Sequence, residues 1–293
     1  MTAPEQPVPP VPPVPARMMQ VRRLRFAYPQ GSLRRHYVEG DLIMSHVVAV
    51  LSATFPPGED FFIRSVRHYS GRVTDPELKR QVKAFIGQEV VHGREHDTLN
   101  RALRAMGYPT HWVDAFVRRS TRLSTRFMPA RVALGHTAAL EHYTATLAEC
   151  LLTDPRARAL LGETEVRNVL LWHALEESEH KSVAFDVYRA VGGSERMRRR
   201  TMIEATVGLL GVTIVFTILS MLKDPATYNP RRLLASLRAL RRSPFLDEKV
   251  RARIRDYQRP GFHPDDFDAT EALSRWRAEL FGPDGALLER LAR

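Results

Sequence analysis

The sequence predicts an all-α protein, built as a helical bundle with further helices toward the C-terminus. Apolar residues recur at helical spacing over long segments, which proline and glycine interrupt. After Phe26 there is no sustained period-two alternation and no Asn-Gly or Asp-Gly turn between apolar runs, so strands are not predicted. With 293 residues, 44% of them hydrophobic, the chain is long enough to bury a large core.

Proline and glycine set the expected ends of the helices. Asp75 followed by Pro76 predicts a helix start, with proline at the first helical position. Gly107 and the pair Gly192–Gly193 predict helix ends, and Pro56-Pro57-Gly58 is interpreted as a break. The predicted helices cover residues 39–54, 58–71, 75–106, 110–127, 130–153, 163–191, 196–222, 230–241, 246–256 and 265–280.

The chain divides into three predicted parts. Residues 1–16 include PVPPVPPVPA and are interpreted as a disordered, proline-rich tail, residues 17–192 as the bundle, and residues 193–293 as a helical extension packed on it. No signal peptide is recognised in the first residues. The single cysteine, Cys150, excludes a disulfide framework and a cysteine-based zinc site, so a cytoplasmic location is expected.

The composition is strongly basic. Lysine and arginine number 44 against 33 acidic residues, a net charge of +11. A soluble basic surface is the simpler interpretation, and an anionic partner such as a membrane phosphate, an acidic carrier protein or a CoA thioester is the more specific one. The sequence contains no zinc finger, RNA-binding signature or basic stripe interleaved with aromatic residues, so nucleic acid is not predicted.

Two segments carry the same spacing of glutamate and histidine. In FIGQEVVH these residues are Glu89 and His92, and in WHALEESEH they are Glu177 and His180. Positions i and i+3 project from one face of a helix, so a carboxylate and an imidazole at this spacing can bind one metal ion. One such pair arises by chance in many helical proteins. Two pairs on two helices predict two metal ions, each with a glutamate and a histidine.

Two metal ions also need carboxylates from two further helices, which we expect to bridge them. Glu141 lies in HTAALEHYTATLAEC, where a lone buried carboxylate would be costly without a metal partner. Glu59 follows the proline-glycine break, and the alternatives there are a helix-capping role or Asp60 as the ligand. The order Glu, Glu-x-x-His, Glu, Glu-x-x-His is the pattern of ferritin-like di-iron and di-manganese four-helix bundles.

His173 precedes the second motif by one helical turn. Its spacing to Glu177 and His180 directs it into the same interior, so we predict a third histidine ligand rather than an ordinary core histidine. His96 lies about 10.5 Å along the helix axis from Glu89, too far for the same metal ion, and is expected outside the ligand set or in the core. The predicted ligands are Glu59, Glu89, His92, Glu141, His173, Glu177 and His180. Glu95 is expected to be solvated, Glu176 and Glu179 to be solvated or to support the ligands from outside, and His36, His46, His68 and His111 receive no functional assignment.

These motifs carry two resemblances. The histidine one turn before the second Glu-x-x-His resembles the bacterial di-iron arylamine N-oxygenases. Over residues 35–190 the chain resembles a bacterial family described as predicted metal-dependent hydrolases, through FPPGED, FIGQEVVHGREH, LEHYT and WHALEESEHKSVAFD. Within that family it is similar to the non-heme di-iron monooxygenase of diterpenoid biosynthesis. The resemblance implies an oxygen-activating hydroxylase, whereas the spacing alone predicts only a two-metal site.

Carboxylate and imidazole donors without a thiolate suit iron or manganese. We therefore expect two iron ions, with manganese as the alternative, dioxygen as co-substrate, and a bulky organic substrate for which a CoA or carrier thioester is one form. Electrons would come from a ferredoxin or flavin reductase, because the sequence has no dinucleotide-binding glycine motif. A hydrolase with two metal ions remains the second hypothesis. A ferritin-like storage protein is a distant third, because the chain is too long.

The segment from Ala205 to Leu222 contains 18 residues without a charge. At about 1.5 Å per residue it is near the lower limit for crossing a bilayer. Its glycine, threonine and serine residues favour instead a helix packed inside the protein or across a homodimer interface. Burial is the prediction, and membrane contact is the alternative.

Overall fold

The computed structural model describes residues 19–292, so the predicted tail at residues 1–16 lies outside the described residues. The all-α prediction is confirmed: among the described residues, strand-like pairing is limited to one isolated bridge between Leu24 and Leu291. The α-helices are α1 (Leu42–Ser70), α2 (Pro76–Ala105), α3 (Thr110–Phe127), α4 (Ala130–Thr153), α5 (Pro155–Ala159), α6 (Glu165–His180), α7 (Val183–Ala190), α8 (Glu195–Leu222), α9 (Pro230–Arg241), α10 (Glu248–Asp256) and α11 (Thr270–Phe281).

Side-chain caps set the starts of the long helices. The Asp41 carboxylate accepts a hydrogen bond from the Met44 amide at the start of α1. Asp75 caps α2 in the same way through the Leu78 amide, which confirms the start predicted at Asp75 and Pro76. Gly107 ends the turn after α2 with φ +93°, a conformation that glycine adopts without the steric cost of a side chain.

The predicted break at Pro56-Pro57-Gly58 is wrong, because α1 runs through it. Pro56 has no amide hydrogen to donate to the Ser52 carbonyl one turn earlier. That carbonyl instead accepts a hydrogen bond from Asn100 Nδ2 on α2 at 3.0 Å. A tertiary contact therefore replaces the missing helical bond, and no local sequence signal reveals it.

Two further helix boundaries differ from the prediction. The predicted helix 163–191 is divided into α6 and α7 by a turn at Lys181 and Ser182. Lys181 Nζ donates to the Phe267 carbonyl at 2.6 Å, a contact that fixes this turn to a distant loop. The short α5, capped by Asp154 and starting at Pro155, was not predicted.

Helices α1, α2, α4 and α6 form the central bundle, in which α1 packs mainly on α2 and α4 mainly on α6. One apolar cluster fills the end that contains Leu99, Leu152 and Trp172. A second fills the end that contains Phe62 and Leu134. The seven predicted ligands lie between these clusters, in the middle of the bundle.

Helix α8 packs along one side on α1 and α4. Helix α10 packs on α4, and α11 packs on both α4 and α6. The expectation that residues 205–222 are buried within the chain is wrong: Val207 and Ile214 are 68% and 56% exposed. The packed side is narrow, because its buried positions are small or polar residues such as Ala205 and Ser220. Among the described helices, α8 alone is long and apolar enough to cross a membrane, by length and composition only. The homodimer and the domain division at residue 192 stay predictions.

Candidate metal centre

All seven predicted ligand residues are brought together inside the bundle. Helix α1 contributes one of them, α2 two, α4 one and α6 three. None has more than 3% of its surface exposed. The residues, in chain order, are Glu59, Glu89, His92, Glu141, His173, Glu177 and His180.

The donor atoms form two groups at the ends of the site. In the first, Glu59, His92 and His173 each offer one atom, and these atoms lie within 4.8 Å of one another. In the second, Glu141 and His180 meet Glu89 within the same limit. Each end of the site thus holds carboxylate and imidazole donors in the arrangement that a transition-metal ion requires.

Glu89 and Glu177 lie between the two groups. Glu89 belongs to the group with His180 and also to one with His92 and Glu177. The two oxygens of Glu177 reach toward different ends, with Oε1 2.7 Å from His173 Nε2 and Oε2 3.4 Å from His180 Nε2. The glutamates of the two Glu-x-x-His motifs therefore lie in the centre of the site, between the two donor groups.

The other two glutamates lie away from this central position, and the bridging role expected for them stays a prediction. Glu59 and Glu141 were expected to bridge, but no group of donors within 4.8 Å contains both among the described residues. Each lies at one end of the site. The register of α2 against α6 decides which glutamates are central. This register cannot be predicted from the helical spacing of residues within one segment.

Many polar atoms of this site lack hydrogen-bond partners. Both carboxylate oxygens of Glu59, Glu89 and Glu141 are buried without one, as are His92 Nδ1 and His180 Nε2. A buried polar atom without a partner costs about 1–3 kcal/mol, and more when it is charged. Metal ions would satisfy these atoms together, so the residues present fit a metal pair.

The electrostatics of the carboxylates support the same conclusion. Burial raises the pKa of Glu59, Glu89 and Glu141 well above the ordinary glutamate value, and neighbouring carboxylates add to the shift. Burial acts in the same direction on Glu177, but the adjacent histidines of α6 outweigh it and hold its pKa well below the ordinary value. Four carboxylates in so small a buried volume need added positive charge to ionise together.

An ordered hydrogen-bond chain fixes the orientation of His173. Its Nδ1 lies 2.7 Å from His96 Nε2, His96 Nδ1 lies 2.9 Å from Ser52 Oγ, and Ser52 donates to Asn100 Oδ1 at 2.8 Å. Because the Ser52 hydroxyl proton is committed to Asn100, His96 Nδ1 donates to Ser52 and His96 Nε2 accepts from His173 Nδ1. His173 Nε2 then faces the site, where it lies 2.7 Å from Glu177 Oε1. His96 lies outside the ligand groups, as expected.

His92 is supported from the opposite side. Its Nε2 lies 3.0 Å from Glu176 Oε2, which leaves Nδ1 to face the site. Glu176 also accepts from Arg22 at 3.0 Å. Burial and the neighbouring Glu179 raise the pKa of Glu176 to about 8, although Arg22 acts against the shift.

The same network continues to His180. Arg22 donates to both oxygens of Glu179, and Gln88 Nε2 donates to Glu179 Oε2 at 3.0 Å. Gln88 Oε1 lies 3.2 Å from His180 Nδ1, so His180 donates to it and presents Nε2 to the site. Each histidine of the two motifs is thus oriented by a buried partner. Solvation of Glu176 and Glu179, one expectation from the sequence, is wrong, because both support the ligands.

Two neighbouring acidic residues have other roles. Asp60, the alternative to Glu59, has an exposed side chain paired with Arg64, so it does not contribute to the site. Glu95 was expected to be solvated, which is wrong. It is buried and accepts a hydrogen bond from the Phe26 amide at 2.9 Å, which attaches the N-terminal segment to α2.

Aromatic rings surround the histidines. Phe55 lies 4.6 Å from His173 between ring centroids, Phe85 lies 4.9 Å from His180, and Trp172 lies 4.9 Å from His92. These contacts keep bulk water from the donor groups. A low-dielectric surrounding of this kind strengthens electrostatic interactions within the site.

A second group of potential ligands lies near the C-terminal end of α8. His36 and His46 approach the same oxygen of Asp224, at 3.0 and 3.2 Å. Arg35 pairs with that oxygen as well, at 3.0 Å. Because the arginine already supplies a positive charge, we assign this group to structural ion pairing, in line with the absence of a functional assignment for these histidines.

Fold and site together define a helical-bundle protein with a buried candidate centre for two metal ions. The family described as predicted metal-dependent hydrolases matches residues 20–268, and the chain belongs to this family. The family is thus one of metal-dependent enzymes by description. No curated protein and no solved structure matches the chain significantly.

Proposed function

We propose that this protein is a non-heme di-iron monooxygenase, which uses dioxygen and external electrons to hydroxylate an organic substrate. The observation that supports it is the donor set itself: four glutamates and three histidines, all buried, with no thiolate among them. Such hard oxygen and nitrogen donors suit iron and manganese, and this ligand order is typical of dimetal bundles. Two iron ions held there would supply the redox chemistry needed to activate dioxygen.

The protein's own residues would contribute binding, orientation and exclusion of water. Glu59, Glu89, Glu141 and Glu177 would hold the two ions together with the three histidines. The hydrogen bonds behind the three histidines keep their other ring nitrogens directed into the site. Glu176 Oε2, 3.0 Å from His92 Nε2, would hold the proton shared between these two side chains.

Electrons and substrate would come from outside the chain. We propose a ferredoxin or a flavin reductase as the electron donor, because the sequence lacks a nucleotide-binding glycine motif. A CoA or carrier thioester is the proposed form of the substrate, since the exposed Arg231 and Arg232 could bind its phosphates. Arg198, in the arginine run at 198–200 that was also expected to bind them, is buried and cannot.

Hydrolysis is the second candidate function, and the description of the family favours it. In that case two divalent ions would activate water for attack on an ester, amide or phosphate. The buried site is compatible with either chemistry, because both need two closely spaced ions and a site shielded from bulk water.

One comparison separates the two functions. Protein loaded with ferrous ions without oxygen is mixed with dioxygen, and oxygen uptake is measured with and without an added reductant. In parallel, zinc- and manganese-loaded protein is tested on p-nitrophenyl acetate and bis-p-nitrophenyl phosphate. We expect oxygen uptake in proportion to the iron bound, renewed by reductant and lost in His92→Ala and His180→Ala. Metal-dependent cleavage of either ester without oxygen uptake would support the hydrolase instead.

A further inference from the structure

Helices α3 and α8 together present an exposed apolar surface. On α8 it consists of Val207, Leu210, Ile214, Ile218 and Leu222, spaced by three or four residues along one side. On α3 the exposed residues at the same kind of spacing are Trp112, Phe116, Leu123 and Phe127. We call these nine residues the apolar face. An exposed surface of this kind, formed by large side chains on two helices, indicates an interaction site.

Helix α3 lies beside the C-terminal half of α8. The rings of Phe116 on α3 and Phe216 on α8 lie 5.3 Å apart between centroids. Lys223, at the end of α8, lies 4.4 Å above the Trp112 ring. Beneath them, Val113 and residues of α1 and α8 form a small apolar cluster that holds the two helices side by side.

Helix α8 is fixed to the bundle along its length. Near its start the buried Arg198 donates to the Arg259 carbonyl at 2.9 Å. Near its middle Thr206 accepts from the Tyr143 hydroxyl at 2.7 Å, and near its end Ser220 contacts His46 at 2.6 Å. A helix tethered at three points by hydrogen bonds cannot leave the bundle to cross a bilayer without losing them. The apolar face is therefore placed to lie in the plane of a surface.

The charges around the apolar face indicate what that surface is. Arg119 and Arg122 on α3 are exposed and form no ion pair with any described residue. The single acidic residue of α3, Asp114, is paired with Arg118, and residues 205–222 of α8 carry no charge. A second copy of the same face would place arginines against arginines. An anionic lipid headgroup layer instead attracts them while the apolar side chains enter the acyl boundary.

We propose that α3 and α8 form a membrane-docking face that binds anionic bilayers in the plane of the interface. This inference does not depend on the reaction catalysed at the metal centre. Tryptophan provides a native reporter: of the three tryptophans, Trp112 lies on the apolar face and is 37% exposed, whereas Trp172 and Trp276 are buried.

The test uses full-length, metal-loaded protein and vesicles of phosphatidylcholine alone or mixed with phosphatidylglycerol. Co-sedimentation should be strong with the mixed vesicles and weak with phosphatidylcholine. Tryptophan emission should move to shorter wavelength and be quenched by brominated acyl chains, and Trp112→Phe should abolish both changes. Failure of the protein to bind anionic vesicles, or binding without any change at Trp112, would overturn the proposal.

Surface variants separate the apolar and electrostatic contributions. Leu210→Ser with Ile214→Ser should reduce partitioning about tenfold or more, because two apolar side chains no longer enter the membrane. Arg119→Gln with Arg122→Gln should weaken binding to anionic vesicles only. The matched controls, Leu288→Ser and Arg23→Gln with Arg25→Gln, remove an exposed leucine and two exposed arginines elsewhere and should leave binding unchanged.

Two results would assign the apolar face to another role. A dimer in solution that Leu210→Ser with Ile214→Ser dissociates, without vesicle binding by the wild type, would identify a second copy as the occupant. Protein that leaves membranes only in detergent, and not in alkaline carbonate, would show that α8 crosses the bilayer. Both results contradict in-plane docking.

Discussion

Replacing His96 tests whether the hydrogen bond behind His173 supports metal binding. His96 Nε2 accepts from His173 Nδ1 at 2.7 Å, and both residues are buried. In His96→Leu the His173 donor is left without a partner, which costs about 1–3 kcal/mol. Loss of a partner behind a metal-binding histidine typically weakens metal affinity by about 10–100-fold, or about 1.4–2.7 kcal/mol. We expect a loss in that range for one of the two metal ions.

The assay is an anaerobic titration with ferrous or manganous ion against a chromophoric chelator. His96→Gln should recover much of the affinity, because its amide oxygen can accept the same hydrogen bond. His142→Leu is the matched control: His142 is a buried histidine that donates to the Arg253 carbonyl at 2.8 Å, outside the candidate site. It should lose stability while both metal affinities stay within about twofold. Equal affinities in wild type and His96→Leu would refute the supporting role.

Three further predictions address the packing, the protonation and the outer charges of the site. A side-chain carbon at Gly93 would lie 2.9 Å from Glu59 Oε2, so Gly93→Ala should weaken metal binding. The control is Gly58→Ala, whose added carbon meets no atom within 4 Å. It should leave metal binding intact and raise stability by about 0.5–1 kcal/mol in thermal unfolding. The raised pKa values keep the buried glutamates protonated to higher pH in the metal-free protein, so metal binding should release protons and become tighter as pH rises. Glu141→Gln should release fewer protons. Binding enthalpies that do not depend on the buffer would contradict this prediction. Arg22→Met should destabilise the protein by about 1–3 kcal/mol in chemical unfolding, because it leaves Glu176 without its arginine and Glu179 with Arg277 alone. A loss well below about 1 kcal/mol would contradict this supporting role of Arg22.

The proximity of the candidate ligands could be predicted from the sequence because helical spacing is local. Glu89 and His92 share one helix face whatever surrounds them, and so do Glu177 and His180. The apolar residues next to these pairs indicate that this helix face is buried and not solvated. The structure places these residues together, and metal binding by them stays a prediction that the experiments above test.

Features that depend on distant contacts could not be predicted. Arg22 supports Glu176 and Glu179, which lie more than 150 residues away in the chain, and no local pattern marks it. Gln88 directly precedes the candidate ligand Glu89, and this position could have indicated a role at the site. Its contact with His180 could not be predicted from the sequence. The continuity of α1 through Pro56 likewise depends on a hydrogen bond from another helix.

The exposure of α8 also could not be predicted from the sequence. Its composition is that of a buried or membrane helix, and the sequence cannot distinguish a face covered by the chain from one left exposed. Only the packing of α1 and α4 against its small residues reveals which side remains outside.

The central claim is that this bundle holds two metal ions close together. The most direct test is elemental analysis after anaerobic reconstitution with iron, combined with X-ray absorption spectroscopy of the loaded protein. We predict two iron ions per chain, oxygen and nitrogen ligands only, and metal–metal scattering at about 3.5–4 Å or less. A single metal ion per chain, or two without metal–metal scattering, would contradict the dinuclear centre.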